Sequence, residues 1–265
     1  MKLHVHEPAS KQVQTVSRGL QVLRAFRSEL NPLTNAELVR RTGLSKATVS
    51  RFTSTLWLLG YIHRVQGSTG FELSAAATGI GDAFLAQNKF LVRVRPFLRH
   101  LSDQLAISTA LAVPNGLDML YLDYHAAEQV ATLRLGPGSL LPMGMTAIGR
   151  AYLWGLQPLD RENMLARVKS HLALPQANVL DQGIQSSFQE LDQSGVCCVA
   201  NGHLRDTFGI ALPVRLGRQG ILMSMSCGNA VVGPNLTAER KRITPVLKEA
   251  AAELKYLMAD TDGRP

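Results

Sequence analysis

The chain has 265 residues, 46% of them hydrophobic and 6% aromatic, which is enough for two globular domains with a core each. No apolar run approaches the roughly 20 residues that cross a bilayer, and the N-terminus lacks the apolar stretch of a secretory signal, so we expect a cytoplasmic protein. The net charge of +8 is concentrated in residues 1–64, where ten Lys and Arg face three Glu; this pattern indicates a module that binds a polyanion, with a merely solvated basic surface as the alternative.

The N-terminal part of the chain is predicted to contain one helix followed by two shorter helices joined by a tight turn. Residues 1–12 are expected to form a disordered tail, and apolar residues at helical spacing predict a first helix over 15–28. Thr34, with Glu37 three residues later, has the pattern of a capping box that starts the second helix. Gly43 then supplies the turn. This order is typical of a helix-turn-helix.

The helix after the turn has the features of a helix that reads a DNA major groove. Ser45 is a favourable N-cap, and Val49, Phe52 and Leu56 form an apolar stripe for burial. Polar residues near the start of this helix could contact phosphates, which set the register, or base edges, which carry the sequence information. The predicted DNA contacts here are Ser45, Lys46, Thr48, Ser50 and Arg51. Arg51 could form a bidentate hydrogen bond with guanine.

A hairpin is predicted to follow this helix. Residues 61–74 alternate apolar and polar side chains around Gly67 and Gly70, a pattern that favours two short strands and a tight connection. Its position after a helix-turn-helix makes this hairpin a wing. On the wing, His63 and Arg64 are expected to contact phosphate rather than bases.

The rest of the chain is predicted to form a linker and a separate α+β domain. The predicted organisation is a winged helix-turn-helix domain at 13–73, a linker helix at 74–89 and an α+β domain at 90–260. This last domain should combine a mixed sheet with packed helices, as in small-ligand sensors. Its strands are predicted at 108–113, 119–124, 131–135, 196–200, 209–216 and 221–227. Its helices are predicted at 91–105, 146–155, 160–169, 183–193 and 237–258, with Pro245 in an early turn or at a kink of the last helix.

The sequence contains no recognisable catalytic motif. There is no G-x-S-x-G elbow, H-E-x-x-H pair or G-x-x-x-x-G-K-[ST] loop. Cys197, Cys198 and Cys227 form no C-x-x-C pair, so buried thiols are expected, with a redox sensor as the alternative; His203 beside them lacks zinc-ligand spacing. We therefore expect no catalytic residue, no metal and no cofactor. An enzyme with an incidental helix-turn-helix and an architectural DNA binder whose second domain only oligomerises stay open as alternatives.

Five sequence motifs occur in order along both predicted domains. They are S-x-G-L-x-V-L at 17–23, T-G-L-x-K-[SA]-T-V-x-R at 42–51, L-G-Y at 59–61, L-P-x-x-x-[ST]-x-x-G-[RK]-A at 141–151 and I-A-x-P-V at 210–214. Together they resemble the isocitrate-lyase-regulator (IclR) family of bacterial transcription factors over residues 13 to 258. The resemblance is specific because it spans both domains in the same order.

The resemblance implies a winged helix-turn-helix joined by a linker helix to a GAF-like effector domain. It also implies homodimers or tetramers (dimers of dimers) on a pseudo-palindromic double-stranded operator, with repression as the commoner mode in the family and activation as the alternative. The implied effector-binding residues, in the loop after Leu141 and on the last strand, are Met143, Met145, Thr146, Ala147, Ile148, Met225 and Cys227. A helix that begins near Thr146 would direct main-chain N–H groups into this pocket, where they could bind a small-molecule carboxylate.

The sequence departs from the family in two places near this pocket. The stretch from Gly195, GVCCVANGHL, lacks the acidic run of many members, and Met225 and Cys227 stand where serines often occur. Both changes would make the pocket less polar. We therefore expect a larger, partly aromatic carboxylic acid rather than a two- or three-carbon keto acid, although packing differences alone are an equal alternative.

Overall fold

The structure, a computed structural model, describes residues 13–26, 32–126 and 135–263. The chain divides into two compact units, an N-terminal unit of residues 1–87 and a C-terminal unit of residues 88–265. Both helices and strands are present, and the fold is α+β as predicted. In the described part of the chain, no helix combines the length and the apolar character needed to pass through a bilayer.

The N-terminal unit is a three-helix bundle closed by a short hairpin. Its elements are α1 (Gln14–Arg24), α2 (Asn35–Thr42), α3 (Lys46–Leu58), β1 (Ile62–Arg64) and β2 (Phe71–Leu73). Each of these elements contributes to one apolar core, which includes Val22, Leu38, Val49, Ile62 and Phe71. β1 and β2 pair antiparallel, and Leu33 bridges to Phe71 on the outer side of the hairpin. The predicted winged helix-turn-helix is confirmed; residues 27 and 28 of the predicted first helix lie outside the described residues.

Local capping signals account for the helix-turn-helix. The Thr34 hydroxyl accepts a hydrogen bond from the Glu37 N–H at 3.2 Å, and the Ser45 hydroxyl accepts one from the Thr48 N–H at 3.3 Å. Between these caps, Gly43 ends α2 with a φ of 68°. A residue with a side chain is strained in this left-handed region, which is why glycine occupies the turn.

The α-helix that follows the hairpin is shorter than predicted. A 3-10 turn (Ala75–Ala77) leads into α4 (Thr78–Gln87), and the Asn88 side chain then accepts a hydrogen bond from the Leu91 N–H at 3.1 Å to start α5 (Lys89–Leu105). The predicted helix over 74–89 is therefore divided into a 3-10 turn and α4. None of the α4 residues is buried in the described chain.

The C-terminal unit is built on a six-stranded sheet. Its strands are β3 (Ser108–Asn115), β4 (Asp118–His125), β5 (Leu140–Pro142), β6 (Cys197–Ala200), β7 (Thr207–Leu216) and β8 (Ile221–Ala230). They lie in the order β5-β4-β3-β8-β7-β6, and each described pair is antiparallel. The predicted mixed sheet is wrong, because connections of two to four residues join β3 to β4 and β7 to β8, and connections this short cannot join parallel strands. Of the strand predicted at 131–135, residues 131–134 lie outside the described residues.

Helices cover both faces of this sheet. They are α5, α6 (Ala147–Gly155), α7 (Pro158–Lys169), α8 (Leu174–Ser194) and α9 (Leu236–Leu257). On one face, the Thr109 hydroxyl donates a hydrogen bond to the Leu98 carbonyl of α5 at 2.8 Å, and α9 packs beside α5. On the other face, Ala110 belongs to a core cluster with residues of α6 and α8. α8 begins nine residues before the predicted start because a proline lies in its first turn, where it disturbs no helical hydrogen bond.

Candidate DNA-binding and ligand-binding sites

Three of the seven predicted DNA contacts lie on the exposed face of α3. Lys46, Ser50 and Arg51 are exposed, and Val49 and Leu56 on the opposite side are buried in the core. Neither Lys46 nor Arg51 has an ion-pair partner among the residues that the structure describes. Both charges are therefore available to a polyanion.

Ser45 and Thr48 have a different position from the other predicted contacts. The two hydroxyls lie 2.9 Å apart and bond to one another, and Ser45 also caps the helix. Thr48 is half-buried at the edge of the exposed face rather than beside Lys46. These two residues thus shape the start of α3, next to N–H groups that favour an anion.

Both arginines of α2 are paired with Glu37, although the side chain of Arg40 remains exposed. The Glu37 carboxylate accepts hydrogen bonds from Arg41 at 2.9 Å and from Arg40 at 2.5 Å, and these bonds lower the pKa of Glu37. The Arg41 guanidinium also donates to the Ala25 carbonyl at 3.1 Å. The positive charge of the N-terminal unit is therefore not equally available on its helices. Glu37 partly neutralises the charge of α2, whereas α3 keeps its charge.

The wing holds its two predicted contacts in different ways. The guanidinium of Arg64 lies 5.3 Å from the ring centre of Trp57 and 5.6 Å from that of Phe71, so that two aromatic rings fix its direction. Across the hairpin, His63 lies 3.7 Å from the Glu72 carboxylate. Sequence reasoning did not identify Trp57, whose role depends on the packing of the wing against α3.

The C-terminal unit contains a cavity between the sheet and the start of α6. Together with the open solvent at its mouth, it encloses about 710 Å³ of space. Of the predicted effector-binding residues, Met145, Thr146, Ala147, Ile148 and Cys227 border this cavity. Residues that were not predicted also border it, among them Tyr121, Tyr124, Ser226 and His203.

The start of α6 presents main-chain groups to the cavity. The Thr146 hydroxyl donates to the Pro142 carbonyl at 2.9 Å and accepts from the Gly149 N–H at 3.4 Å, so that it caps the helix. The N–H groups of Ala147 and Ile148 lie in the first turn, where the helix offers them no acceptor. Together with the helix dipole they form an environment that favours a negative charge.

Arg150 and Gly149 hold this loop in place. Arg150 donates to the Gly144 carbonyl at 2.9 Å, to the Gly183 carbonyl at 2.7 Å and to the Ser187 hydroxyl at 3.0 Å. A side chain at Gly149 would collide with the main chain of Met143. The L-P-x-x-x-[ST]-x-x-G-[RK]-A motif therefore describes the construction of the cavity wall rather than a set of ligand contacts.

Two stacked tyrosines form another part of the cavity lining. The rings of Tyr121 and Tyr124 lie 5.8 Å apart at an angle of 13°, and the Tyr124 hydroxyl donates to the Ser108 hydroxyl at 2.9 Å. Burial raises the pKa of Tyr121, which also interacts with the Ser226 hydroxyl. A bulge after Leu111 brings both tyrosines to the same face, although they are three residues apart in sequence.

Three of the predicted effector residues do not direct their side chains into the cavity. Cys227 is paired with Thr109, whose hydroxyl bonds to α5, so the thiol of Cys227 and the side chain of Met225 lie on the face away from the cavity. Cys227 borders the cavity only through its main chain, and Ser224 and Ser226 take the cavity side. The prediction was shifted by one residue along β8, and such a shift reverses the face of each side chain. Met143 is fully buried in the core and is not among the residues that line the cavity.

The cysteines have the properties of structural thiols. Burial raises the pKa of Cys197 to about 12, of Cys198 to about 11 and of Cys227 to about 12. Thiols with such values stay protonated near neutral pH and react slowly. Within the described ranges, no three His, Cys, Asp or Glu side chains come together as a group that could hold a metal ion.

A winged helix-turn-helix with an exposed basic helix, joined in one chain to an α+β unit with a small-molecule cavity, defines a DNA-binding regulator. Residues 15–66 match the IclR helix-turn-helix domain, and residues 82–256 match the bacterial transcriptional regulator IclR C-terminal domain. The chain belongs to the IclR family of transcriptional regulators, and it is a regulator rather than an enzyme. The resemblance seen in the sequence is confirmed.

Known relatives extend over the whole chain. The HTH-type transcriptional regulator TsaQ1/TsaQ2 of Comamonas testosteroni is 27% identical, over 97% of this chain and 95% of its own length. The crystal structure of an IclR family regulator from Brucella abortus has 27% identity and a TM-score of 0.77, over 97% of this chain and 95% of that one. An IclR homolog from Microbacterium hydrocarbonoxydans, complexed with 4-hydroxybenzoate, shares the fold with a TM-score of 0.63 and 18% identity, over 92% of this chain and 98% of that one.

Proposed function

We propose that this protein is a cytoplasmic repressor that binds a pseudo-palindromic operator as a homodimer or a dimer of dimers. A small, partly aromatic carboxylic acid enters the cavity of the C-terminal unit and lowers operator affinity. The observation that carries this proposal is the cavity itself, which has aromatic rings on one wall and the start of a helix on another.

The two walls define the chemistry of the effector. The N–H groups at the start of α6 suit a carboxylate, and the stacked Tyr121 and Tyr124 offer an apolar surface for a ring. The hydroxyls of Ser108 and Ser226 add polar contacts, so the cavity is more polar than the sequence indicated. The Microbacterium homolog, which holds 4-hydroxybenzoate, supports an acid of this size.

The N-terminal unit supplies the operator contacts. α3 would enter the major groove with Lys46 and Arg51, and Arg64 on the wing would reach the adjacent phosphates. A pseudo-palindrome requires two copies, and α4 has a surface suited to pairing, since Ile80 and Phe84 lie one turn apart with 58% and 43% of each residue exposed. As the connection between the two units, α4 would also transmit the signal.

A thermal-shift screen of aromatic and aliphatic monocarboxylates tests the effector class. At least one acid should raise the Tm of the wild-type protein, because a ligand that binds only the folded state stabilises it. Gly209→Val is the matched variant, since a side chain there would first contact Ala147 on the cavity wall and should fill the cavity without backbone strain. This variant should lose the shift. If no acid stabilises the wild-type protein, the second domain only oligomerises and the sensing function is wrong.

The sign of regulation has its own test. The relatives of this chain include repressors and an activator, and repression is the simpler expectation for a protein that occupies its operator without a ligand. A reporter fused to a promoter that the protein binds should be more active when the gene for the protein is deleted. Lower activity after deletion would identify an activator.

A further inference from the structure

A short loop between β6 and β7 borders the cavity beside the start of α6. We name residues 201–206 the 201–206 loop. Three of its members, Gly202, His203 and Leu204, line the cavity. The loop has no counterpart among the motifs that identify the family in this sequence, and sequence reasoning set His203 aside because it lacks zinc-ligand spacing.

The 201–206 loop is fixed at both ends. Asn201 and Asp206 adopt φ values of 53° and 55°, a region that Asn and Asp tolerate better than most residues. The Asp206 N–H donates to the Asn201 side-chain oxygen at 2.7 Å, and the Asn201 N–H donates to the Thr207 carbonyl at 2.8 Å. The Val231 N–H, beyond β8, donates to the Asp206 carbonyl at 2.7 Å. These bonds hold the loop in one conformation.

The loop also lies directly against the residue that precedes α6. A side chain at Gly202 would collide with the carbonyl oxygen of Met145, so the two main chains are in close contact. Met145 and Thr146 border the same cavity as His203. The loop and the start of α6 thus form one continuous wall.

His203 is distinguished by its chemistry. Among the described lining residues there is no Lys, Arg, Asp or Glu, and His203 contributes an imidazole, a group that can donate a hydrogen bond to an anion. His203, Arg205 and Asp206 are all exposed, and of these three His203 alone lines the cavity. Asn229, a lining residue on β8, is uncharged. Residues 127–134 are not among the described residues.

We propose that His203 is a specificity-determining residue that donates a hydrogen bond to the carboxylate of the effector, beside the N–H groups of α6. The proposal rests on the proposed function, because it assumes that the cavity takes a carboxylate. An imidazole donates a hydrogen bond in its neutral form and in its protonated form. With two kinds of donor at one end, the cavity would select an acid over the corresponding primary amide, which presents an NH₂ group to the same donors.

Calorimetry on the full-length protein tests this assignment. The probes are 4-hydroxybenzoate, benzoate, phenylacetate and 3-phenylpropanoate, each beside its primary amide. His203→Leu should weaken acid binding about tenfold or more, as expected for a lost hydrogen bond to a charged group, and change amide binding less than twofold. His203→Gln, which keeps a donor, should recover part of the loss. Arg205→Gln, on the same loop but outside the lining, should match the wild-type protein.

The possible outcomes separate the two proposals. If the wild-type protein binds an acid and His203→Leu binds it equally well, or loses acid and amide to the same extent, the role of His203 is overturned and the sensing function stands. If no acid binds the wild-type protein, both proposals fail. Unchanged Tm and operator affinity of the His203 variants would show that the loop and the fold are intact.

Discussion

The two units supply positive charge to their expected ligands in different ways. In the N-terminal unit, α3 carries Lys46 and Arg51 on a face open to solvent. In the C-terminal unit, α6 presents main-chain N–H groups to a cavity whose described lining contains no Lys or Arg. Full charges in water suit a polyanion, whereas helix dipoles in a small cavity suit one small anion. Net charge should therefore control DNA binding, and shape together with hydrogen bonding should control effector binding.

Salt provides the largest expected contrast between the units. Operator affinity should fall by about 10³-fold between 50 and 200 mM salt, because each phosphate contact releases counterions. Effector affinity should change less than about twofold over the same range, since Ala147 and Ile148, whose N–H groups would bind the acid, are buried. Fluorescence anisotropy with operator DNA and calorimetry with the effector measure the two values. Equal salt dependence would show that the units do not differ as described.

Removal of the α3 charges should break DNA binding alone. Lys46→Ala with Arg51→Ala should reduce operator affinity by about 100-fold or more, because a bidentate base contact and a phosphate contact are lost. The thermal shift with an effector should be unchanged. Arg40→Ala is the control, because Arg40 is already paired with Glu37, and it should cost far less in a gel-shift assay. If the double variant binds DNA as well as the wild-type protein, α3 is not the reading helix.

A methyl group on the 201–206 loop should affect effector binding by the C-terminal unit and leave DNA binding unchanged. Gly202→Ala would push the loop away from the Met145 carbonyl and should weaken effector binding by about tenfold, measured by calorimetry, since displaced donors lose much of a charged hydrogen bond. Operator affinity without effector should remain at the wild-type value. Gly79→Ala in α4, where a side chain would meet open space, is the control. Wild-type effector affinity in Gly202→Ala would mean that the loop takes no part in the site.

The aromatic support of the wing should have the smallest effect. Trp57→Ala removes one of the two rings that hold Arg64, and operator affinity should fall about threefold, in keeping with a cation–π contact at an exposed site. Arg64→Ala should cost more, and the combination of both changes should cost no more than Arg64→Ala. Additive losses in this double-mutant cycle would show that Trp57 acts independently of Arg64.

The two units also differ in how much of each site could be predicted from the sequence. In the N-terminal unit, the caps at Thr34 and Ser45 and the turn at Gly43 depend on residues within four positions of each other, and all three were predicted. DNA contacts on one helix follow from its periodicity. The exception is Thr48, which the bond to Ser45 holds at the edge of the face.

In the C-terminal unit, the site depends on pairing that no local pattern shows. Met225 and Ser226 are adjacent, and only the register with β3 decides which of them faces the cavity. Tyr121 and Tyr124 share a face because of a bulge, and His203 reaches the cavity through contacts between distant segments. Met145 to Ile148 line the cavity as the resemblance implied, because their motif is continuous in sequence. To predict this register from the sequence, one would have to know in advance which strands pair.

The central claim is that an acid in the cavity of the C-terminal unit changes the DNA affinity of the N-terminal unit. The most direct measurement is the operator Kd with and without a saturating acid from the screen, for the wild-type protein and for Gly209→Val. The wild-type protein should bind operator at least about tenfold more weakly with the acid, a typical size for coupling between two sites, and Gly209→Val should show no change. An unchanged wild-type Kd, with an acid that calorimetry shows to be bound, would contradict the account.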